Sequence, residues 1–322
     1  MRKYSVIIPV YNRPEEVDEL LESLRKQKEL PYEVIVVDDG SAQRCGHIAE
    51  KHTGKLHVKY FYKENSGQGF SRNYGFEKAS GDFFIIFDSD CIIPENYFVK
   101  VEEGLNKMNL DAFGGPDKAK DDFTPIQKAI SYAMTSMFTT GGIRGKKKHA
   151  GTYHPRSFNM GIAREVYQNT GGYAITRMGE DIEYSIRIIN AGYSVGLIEE
   201  AFVYHKRRTS FLDFFKQLRF FGRARINVSR FYPDEIKLIH GLPAVFLTGE
   251  VFWLMVSPLI SLELFYAGFV LNLVFCGVIF FDALIQFTNI QVGFLSVIAS
   301  YIQLLAYGTG LITEGTKKIL KG

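Results

Sequence analysis

Two long stretches near the C-terminus contain no charged side chain, and they limit where this chain can reside. Leu264 to Phe281 is 18 residues long and Ile290 to Ile312 is 23, and both approach the roughly 20 apolar residues that carry an α-helix across a bilayer. The preceding stretch, Leu242 to Leu262, is also apolar but contains Glu250 and Pro258. It is compatible with a third crossing, a re-entrant segment or an interfacial helix.

A basic segment precedes these apolar stretches. Between Tyr204 and Arg230 the chain has eight Lys or Arg residues against a single acid, Asp213. Basic flanks are typical of the cytoplasmic side of a membrane protein, and the tail with Lys317, Lys318 and Lys321 is a second such flank. Two flanks on one side require an even number of crossings, which favours two. The net charge of +3 is too small to indicate nucleic-acid binding.

Cysteine usage and the N-terminal residues favour a cytosolic setting for the first part of the chain. Cys45, Cys91 and Cys276 form no CxxC motif, so neither a disulfide framework nor a zinc site is indicated. The chain runs from "MRKYS" directly into the strand-like "SVIIPV", without the apolar core and cleavage site of a secretory signal. We expect this part to remain in the cytosol.

The N-terminal part alternates short β-branched runs with segments of helical periodicity. Strands are predicted at "SVIIPV", "EVIVVDD", "HVKYFYK" and "DFFIIFDSD", with helices between them that include "GFSRNYGFEKA". Such alternation builds parallel βαβ units, whose ligands bind at the carboxyl ends of the strands. Asp38 with Asp39 and Asp88 with Asp90 fall at such ends, so we expect both acid pairs at a ligand-binding edge.

Further elements are predicted beyond Asp90. "DAFGGP" (111–116) and "SFNMGIA" (157–163) are predicted strands, and "EDIEYSIRIINAG" (180–192) is a predicted helix that ends at a glycine. "GGIRGKKKHAGTYHP" (141–155) is rich in Gly and Lys and has no periodicity, so we expect a mobile loop over the site.

The acids of "FDSD" need a partner. Carboxylates are rarely buried alone, because desolvating the charge costs several kcal/mol or more. Asp88 and Asp90 follow the apolar run "FFIIF", so they require water or a cation. Mg²⁺ and Mn²⁺ are hard cations that prefer carboxylate and phosphate oxygens, which makes this pair a candidate site for one of them.

Four motifs in order resemble the inverting family 2 glycosyltransferases with the GT-A fold: "SVIIPVYNRPEEVDELLESLRKQ", "YEVIVVDDGS", "NSGQGFSRNYGFEKASGDFFIIFDSD" and "GEDIEYSIRIINAGY". The resemblance covers roughly residues 4 to 210 and implies an α/β fold with a mixed, mainly parallel sheet flanked by helices. We therefore expect a GT-A catalytic domain over 1–209, a basic amphipathic interfacial segment over 210–241, and a membrane region over 242–322 with about two transmembrane helices.

The resemblance also implies how a donor would bind. "FDSD" is similar to the DxD motif, in which Asp88 and Asp90 hold Mg²⁺ or Mn²⁺ against the diphosphate of a nucleotide-sugar. His205 stands where many members carry a His that contacts the metal or the diphosphate, although a structural role is equally open. Arg72 is expected to open a helix after a Gly-rich turn and to contact a phosphate there. The alternative for Arg72 is a surface ion pair.

The first two motifs imply the nucleotide contacts. The segment with Pro9, Tyr11 and Asn12 would line the base and the ribose, and Asp39 would accept a hydrogen bond from the base. Carboxylates accept imide N–H groups well, which suits uracil or thymine.

In "GEDIEYS" the resemblance implies that Asp181 is the catalytic base, with Glu180 beside it. The base would deprotonate an acceptor hydroxyl as it attacks the anomeric carbon, so an α-linked donor would give a β-linked product. Acids at a helix start are also ordinary capping residues, which is the alternative interpretation.

Together these features predict a membrane-anchored, metal-dependent inverting glycosyltransferase of the cell inner membrane with a cytoplasmic catalytic domain. It would move a sugar from a nucleotide-sugar, with a UDP-sugar favoured, onto a lipid-linked or membrane-proximal glycan acceptor in cell-envelope polysaccharide synthesis. Membrane lipids are expected partners and nucleic acid is not. Alternatives are a polyprenyl-phosphate sugar synthase and a catalytically silent membrane scaffold. "KQLRFFGRAR" loosely resembles the segment that follows the catalytic domain in membrane-bound family members and has the form QxxRW there. It lacks the Arg-Trp pair of that form, which disfavours a processive polymer synthase.

Overall fold

The computed structural model describes residues 2–118, 123–140 and 153–321. The loop predicted at 141–155 therefore lies outside the described residues, apart from its last three positions. Contacts divide the chain into two compact units, which are described separately below.

Strands in the described residues are numbered along the chain as β1 (Tyr4–Val10), β2 (Glu33–Asp39), β3 (Val58–Lys63), β4 (Phe83–Phe87), β5 (Cys91–Ile92), β6 (Ala112–Gly114), β7 (Asp117–Lys118), β8 (Asn159–Ala163), β9 (Val195–Leu197) and β10 (Val203–His205). Helices are numbered in the same way as α1 (Pro14–Arg25), α2 (Gly46–His52), α3 (Gln68–Lys78), α4 (Tyr97–Met108), α5 (Pro125–Thr135), α6 (Met137–Thr140), α7 (Arg164–Thr170), α8 (Glu180–Asn190), α9 (Phe211–Val228), α10 (Leu238–Met255), α11 (Ser257–Ile260), α12 (Leu262–Phe287) and α13 (Ile290–Lys321).

The first unit, Met1–Lys118 with Gly151–Lys206, is built on a seven-stranded sheet. The strand order is β3-β2-β1-β4-β8-β6-β9. The first four strands in this order are parallel, β8 runs antiparallel between β4 and β6, and β9 is parallel to β6. The predicted mixed, mainly parallel sheet is thus confirmed. A small second sheet has the order β5-β10-β7.

The central strands are apolar on both faces because helices cover both sides of the sheet. Alternate residues of a strand point to opposite faces. In β1, Val6 packs in the cluster that contains Leu20 of α1, whereas Ile7 packs in the cluster that contains Phe76 of α3. This double coverage explains why "SVIIPV", "EVIVVDD" and "FFIIF" are continuous apolar runs rather than alternating ones.

The sheet register brings the two acid pairs to the same edge. Asp38 and Asp39 are the last residues of β2, and Asp88 directly follows β4. Because β1 pairs in parallel with both β2 and β4, these strand ends lie on one side of the sheet. The predicted placement of both pairs at carboxyl strand ends is confirmed.

A buried carboxylate at the opposite edge ties β1, β2 and β3 together. Glu33 accepts hydrogen bonds from Ser5 Oγ at 2.6 Å, Ser80 N at 2.5 Å and Lys59 Nζ at 2.6 Å. Burial opposes the charged form, but Lys59, Ser5 and Ser80 lower the pKa of Glu33 to about 2. Glu33 therefore stabilises the sheet as an anion.

The second unit, Ala119–Ala150 with Arg207–Gly322, is helical in its described part. Helix α13 packs against α5, α9, α10 and α12. The backbones of α13 and α9 lie very close together. A Cβ added to Gly222 of α9 would stand 2.1 Å from the carbonyl oxygen of Tyr307 in α13, and a Cβ added to Gly310 of α13 would stand 2.1 Å from the carbonyl oxygen of Arg219 in α9. Only glycine allows this approach.

Three helices in the described residues are long and apolar enough to cross a membrane: α10, α12 and residues 290–320 of α13. In the most apolar 18-residue stretch of each helix, the buried share is 0% for α10 and 6% for α12, whereas it is 44% for α13. These helices indicate membrane association. The expectation of two crossings stays a prediction, as does the interfacial position of 210–241, which contains α9.

We expect Glu33→Gln to lower the free energy of unfolding by on the order of 2 kcal/mol at pH 7, because the amide keeps the shape and loses the ion pair. The pKa of Glu33 is lowered by folding, so its contribution is complete above about pH 4.5 and is lost as the pH falls towards 2. The free energies of unfolding of the parent and of Glu33→Gln, measured by chemical denaturation, should therefore approach each other as the pH falls from about 4.5 towards 2. A difference that is independent of pH, or as small as that of the partly exposed control Glu22→Gln, would contradict this assignment.

Candidate active site

Each acid of the "FDSD" motif is paired with an arginine. Asp88 Oδ1 accepts a hydrogen bond from Arg72 Nη2 at 2.8 Å, and Asp90 Oδ2 accepts one from Arg13 Nη1 at 2.6 Å. His205 Nε2 lies 3.0 Å from the other oxygen of Asp90. Burial opposes ionisation of Asp90, but His205 and Arg13 hold its pKa well below the usual range. Asp90 is therefore anionic, and the Arg13 guanidinium lies beside it.

Arg72 links the end of β4 to the start of α8. Its guanidinium donates to Asp88 and also to Glu180 Oε1 at 3.2 Å, and it lies 5.4 Å from the centre of the Tyr173 ring. The side chain is 2% exposed. The alternative of a surface ion pair does not fit, because the guanidinium and Glu180 are buried, although the Asp88 side chain is 35% exposed. Arg72 also lies one turn into α3 rather than at its first residue.

The segment before α8 is attached to the start of α3, and this attachment positions Glu180. Gly69 N donates to the Thr176 carbonyl at 3.0 Å, and Thr176 Oγ1 donates to the Ser66 carbonyl at 2.7 Å. Gly67 has φ +91°, and a Cβ there would stand 2.3 Å from Thr176 Oγ1. The Gly-rich turn of "NSGQGFSRN" is therefore required for this close contact.

The two acids at the start of α8 differ in their surroundings. Glu180 accepts hydrogen bonds from Gln68 and Arg72, and its side chain is 5% exposed. Burial and the charge of Asp181 raise the pKa of Glu180, against the opposing effect of Arg72. Asp181 is 19% exposed, accepts the Ile182 N–H at 2.8 Å, and lies 3.6 Å from the Arg156 guanidinium.

The interpretation of these acids as N-caps does not fit the structure. The N-cap of α8 is Gly179, which has a left-handed conformation with φ 95° and makes no side-chain cap hydrogen bond. Glu180 and Asp181 occupy the first two helical positions, where acids interact favourably with the helix dipole.

Asp39 is held by the beginning of α3 and by β3. Its Oδ1 accepts from Lys63 Nζ at 2.6 Å and from Ser66 N at 2.9 Å, and its Oδ2 accepts from Gly67 N at 2.9 Å. Burial would raise the pKa of Asp39, but Lys63 and Ser66 lower it overall. The carboxylate is nearly buried, at 6% exposure.

The predicted base-binding segment follows β1. Asn12 has φ 53° and accepts the Ala42 N–H through its Oδ1 at 2.7 Å, while its own N–H donates to Ser41 Oγ at 2.8 Å. Asn12 therefore joins the loops after β1 and β2. Tyr11 is exposed beside it, and Pro9 lies within β1, paired with Val37.

The donor atoms around "FDSD" fit a hard divalent cation. Asp90, Cys91 and His205 offer ligand atoms that all lie within 4.8 Å of one another. Burial and the neighbouring charges of Asp90 and Asp88 raise the pKa of the Cys91 thiol well above its usual value, so the sulfur stays neutral. The remaining carboxylate oxygens and imidazole nitrogen suit Mn²⁺ or Mg²⁺ better than a thiolate-seeking metal.

Several partners in the site were not predicted from the sequence. Arg13 in "YNRP" and Lys63 at the end of β3 could have been recognised from the sequence, because both are cations that follow or end a predicted strand. Lys63 is in register with Asp39. Nothing in the sequence marks Gln68 or Arg156 as a partner of the site. Their contacts with Glu180 and Asp181 depend on how distant loops pack.

The model of the family "Glycosyl transferase family 2" matches residues 5–171, which is more than half of the chain. The chain belongs to glycosyl transferase family 2. It is 42% identical over 97 residues to the poly(ribitol-phosphate) beta-N-acetylglucosaminyltransferase TarS of Staphylococcus aureus. The aligned residues are 29% of this chain and 17% of TarS. The chain is 24% identical over 250 residues to the glycosyltransferase AglE of Haloferax volcanii, covering 76% of this chain and 80% of AglE.

Solved structures with the same fold span nearly the whole family 2 chain. The mannosyltransferase PcManGT from Pyrobaculum calidifontis, in complex with GDP-Man and Mn²⁺, has a TM-score of 0.66 at 17% identity and covers 94% of this chain and 87% of PcManGT. S. aureus TarS 1-349 in complex with UDP-GlcNAc has a TM-score of 0.52 at 20% identity, covering 97% and 92% of the two chains. The predicted GT-A fold is confirmed.

We expect Arg72→Met in this family 2 chain to lower the free energy of unfolding by about 3 kcal/mol, because it removes the partner of two acids, one of them buried. Arg72→Lys should lose less, since it keeps the charge but cannot bridge both carboxylates. The control Arg25→Met, in a partly exposed pair with Glu22, should change stability by less than about 0.5 kcal/mol. Equal losses in Arg72→Met and Arg25→Met would exclude a structural role for the Arg72 bridge.

Proposed function

We propose that this chain transfers a sugar from a nucleotide-sugar to a hydroxyl or phosphate acceptor at a membrane, with inversion at the anomeric carbon. The observation that carries the proposal is the buried Arg72, whose guanidinium places the start of α8 beside the end of β4. This link supports Asp181, the neighbour of Glu180, as the base, and Asp88 with Asp90 as the diphosphate site.

In the proposed step, Asp181 accepts the proton of the acceptor hydroxyl. The acceptor oxygen forms a bond to the anomeric carbon, while the bond from that carbon to the diphosphate oxygen breaks. The electron pair of the broken bond leaves with the nucleoside diphosphate. A single displacement of this kind inverts the configuration, so an α-linked donor gives a β-linked product.

Accessibility and hydrogen bonding favour Asp181 over Glu180 as the base. Glu180 is nearly buried and already accepts hydrogen bonds from Gln68 and Arg72, whereas Asp181 is the more exposed of the two. A base must reach the proton that it removes. Glu180 then acts as the residue that connects α8 to Arg72.

Asp88, Asp90 and His205 are the residues that would hold Mg²⁺ or Mn²⁺. When bound, the ion supplies Lewis-acid stabilisation of the charge that develops on the leaving diphosphate. Arg72 and Arg13 lie beside the same carboxylates and add positive charge to this region. The complex of PcManGT with Mn²⁺ supports this assignment by fold only.

For the donor we favour a UDP-sugar. The TarS structure contains UDP-GlcNAc, whereas the PcManGT structure contains GDP-Man, so the fold accommodates both nucleotides. Asp39 would accept a hydrogen bond from the base, and Pro9, Tyr11 and Asn12 would line the base and the ribose. A carboxylate acceptor suits the N–H of uracil.

For the acceptor we favour a lipid-linked or membrane-proximal glycan at the cytoplasmic face of the cell inner membrane. The exposed apolar surfaces of α10 and α12 support membrane attachment, and the basic residues of α9 would attract anionic lipid head groups. A polyprenyl-phosphate acceptor is the second candidate, because a membrane-attached enzyme can reach a lipid phosphate directly. The presence of Asp88, Asp90 and Asp181 argues against a silent scaffold.

Asp181→Asn should slow transfer by roughly 10² to 10⁴ while the affinity for UDP and Mn²⁺ is retained, since the amide keeps its size but accepts no proton. Glu180→Gln should reduce transfer less. Single-turnover rates beside nucleotide affinities test this. Should Asp181→Asn transfer within about tenfold of the parent, or Glu180→Gln be the more damaging change, Asp181 is not the base and Glu180 becomes the candidate.

The intact protein should resist extraction from membranes by alkaline carbonate, because α10 and α12 expose apolar side chains along most of their length. Leu271→Arg, on an exposed position of α12, should lower the retained fraction, since Arg costs about 2.5 to 3.5 kcal/mol at the centre of a spanning helix. The control is Met108→Arg, an exposed position of the first unit, which should change nothing. Complete release of the parent by carbonate would rule out spanning helices.

A further inference from the structure

Arg13 occupies the oxygen of Asp90 that a cation would need. Its Nη1 lies 2.6 Å from Asp90 Oδ2, and the other oxygen of Asp90 lies 3.0 Å from His205 Nε2. The Asp90 side chain is only 12% exposed. Because both oxygens already have a charged or polar neighbour at contact distance, a divalent ion can bind Asp90 fully only if one of these neighbours moves.

His205 is the less mobile of the two neighbours. It belongs to β10, where it pairs with Cys91 of β5, and its ring stacks on Phe158 with centroids 5.0 Å apart. The next residue, Lys206, donates its backbone N–H to the Asp90 carbonyl at 3.1 Å. These contacts hold His205 beside Asp90 from several directions, and its imidazole can remain there as a metal ligand.

Arg13 is the neighbour that can leave. It lies in the loop between β1 and α1, at the N-cap position of α1, where it makes no side-chain cap hydrogen bond. Its side chain is 31% exposed. A long side chain that is partly in solvent can take a new position without moving a strand, and the cost of the move is the lost ion pair with Asp90.

A nucleoside diphosphate offers Arg13 a new partner. Guanidinium groups bind phosphate oxygens through paired N–H donors. In the proposed function the diphosphate lies beside Asp88 and Asp90, within the region that the Arg13 side chain already reaches. The diphosphate and Asp90 would then compete for Arg13, whereas Arg13 and the cation compete for Asp90.

We propose that Arg13 is a positioning residue that couples the two ligands: it occupies Asp90 until a donor diphosphate binds it and frees Asp90 for the divalent cation. This inference rests on the proposed function, because it uses the same cation and diphosphate site. The cation and the nucleotide then strengthen each other's binding. By linkage, the factor by which UDP tightens Mn²⁺ equals the factor by which Mn²⁺ tightens UDP.

The test measures Mn²⁺ binding to the full-length protein in detergent, by calorimetry and by the electron paramagnetic resonance signal of free Mn²⁺, with and without saturating UDP. We expect UDP to tighten Mn²⁺ binding by at least about tenfold in the parent. Arg13→Gln removes the competing charge, so it should tighten Mn²⁺ alone by about tenfold and reduce the coupling to about threefold or less.

Two further variants separate competition from loss of structure. Arg13→Lys keeps a cation near Asp90, so its Mn²⁺ affinity should stay close to that of the parent. Arg25→Gln removes a partly exposed arginine of α1 that pairs with Glu22, and it should leave both the affinity and the coupling unchanged. A damaged site would weaken Mn²⁺ binding, whereas release of a competitor strengthens it.

The outcomes distinguish this inference from the proposed function. If Asp90→Asn weakens Mn²⁺ binding but Arg13→Gln leaves it within about threefold of the parent, Arg13 does not compete and the inference is wrong. If UDP does not change the Mn²⁺ affinity of the parent, the inference is wrong, and this result requires no variant. If Asp90→Asn leaves Mn²⁺ binding unchanged, the metal site of the proposed function is wrong, and the inference fails with it.

Discussion

The candidate site depends on one buried guanidinium. Arg72 comes from α3 and binds an acid that follows β4 and an acid that begins α8, so it joins parts of the chain that are about a hundred residues apart. A buried charge without partners is costly, and truncating one partner of a buried pair typically costs 3 to 5 kcal/mol. The three elements are therefore stable together only in an arrangement that keeps both acids within reach of Arg72. This constraint places the start of α8 at the edge of the sheet where the acid pairs lie.

Every acid in the site has a basic or hydrogen-bonding partner in the same unit. Asp39 has Lys63, Asp88 has Arg72, Asp90 has Arg13 and His205, and Asp181 has Arg156 at a longer distance. A ligand that carries both a cation and a diphosphate can replace these pairs without leaving charge unpaired. This charge pattern is what the proposed metal–diphosphate site rests on.

The sequence predicted the strands and both acid pairs because these features are local. A continuous apolar run predicts a strand buried on both faces, and an acid directly after it lies at the carboxyl end. The bridge from Arg72 to Glu180 could not be predicted, because it depends on the contact of Thr176 with Gly67 and Gly69 across the fold. Helix α13 also shows the limit: a charge-free run identifies an apolar helix, but its glycines alone did not reveal how closely α9 packs against it.

We propose that transfer is a single displacement assisted by an acid at the start of α8. Donor hydrolysis tests this proposal without knowledge of the acceptor, because water can take the place of the acceptor hydroxyl. Full-length protein with Mn²⁺ and UDP-α-sugars would be followed by proton NMR during the first minutes, before the released sugar equilibrates between its anomers. If transfer is a single displacement, the β-anomer appears first and Asp181→Asn suppresses its release. Initial release of the α-anomer, at a rate that the substitution does not alter, would exclude a single displacement with Asp181 as the base.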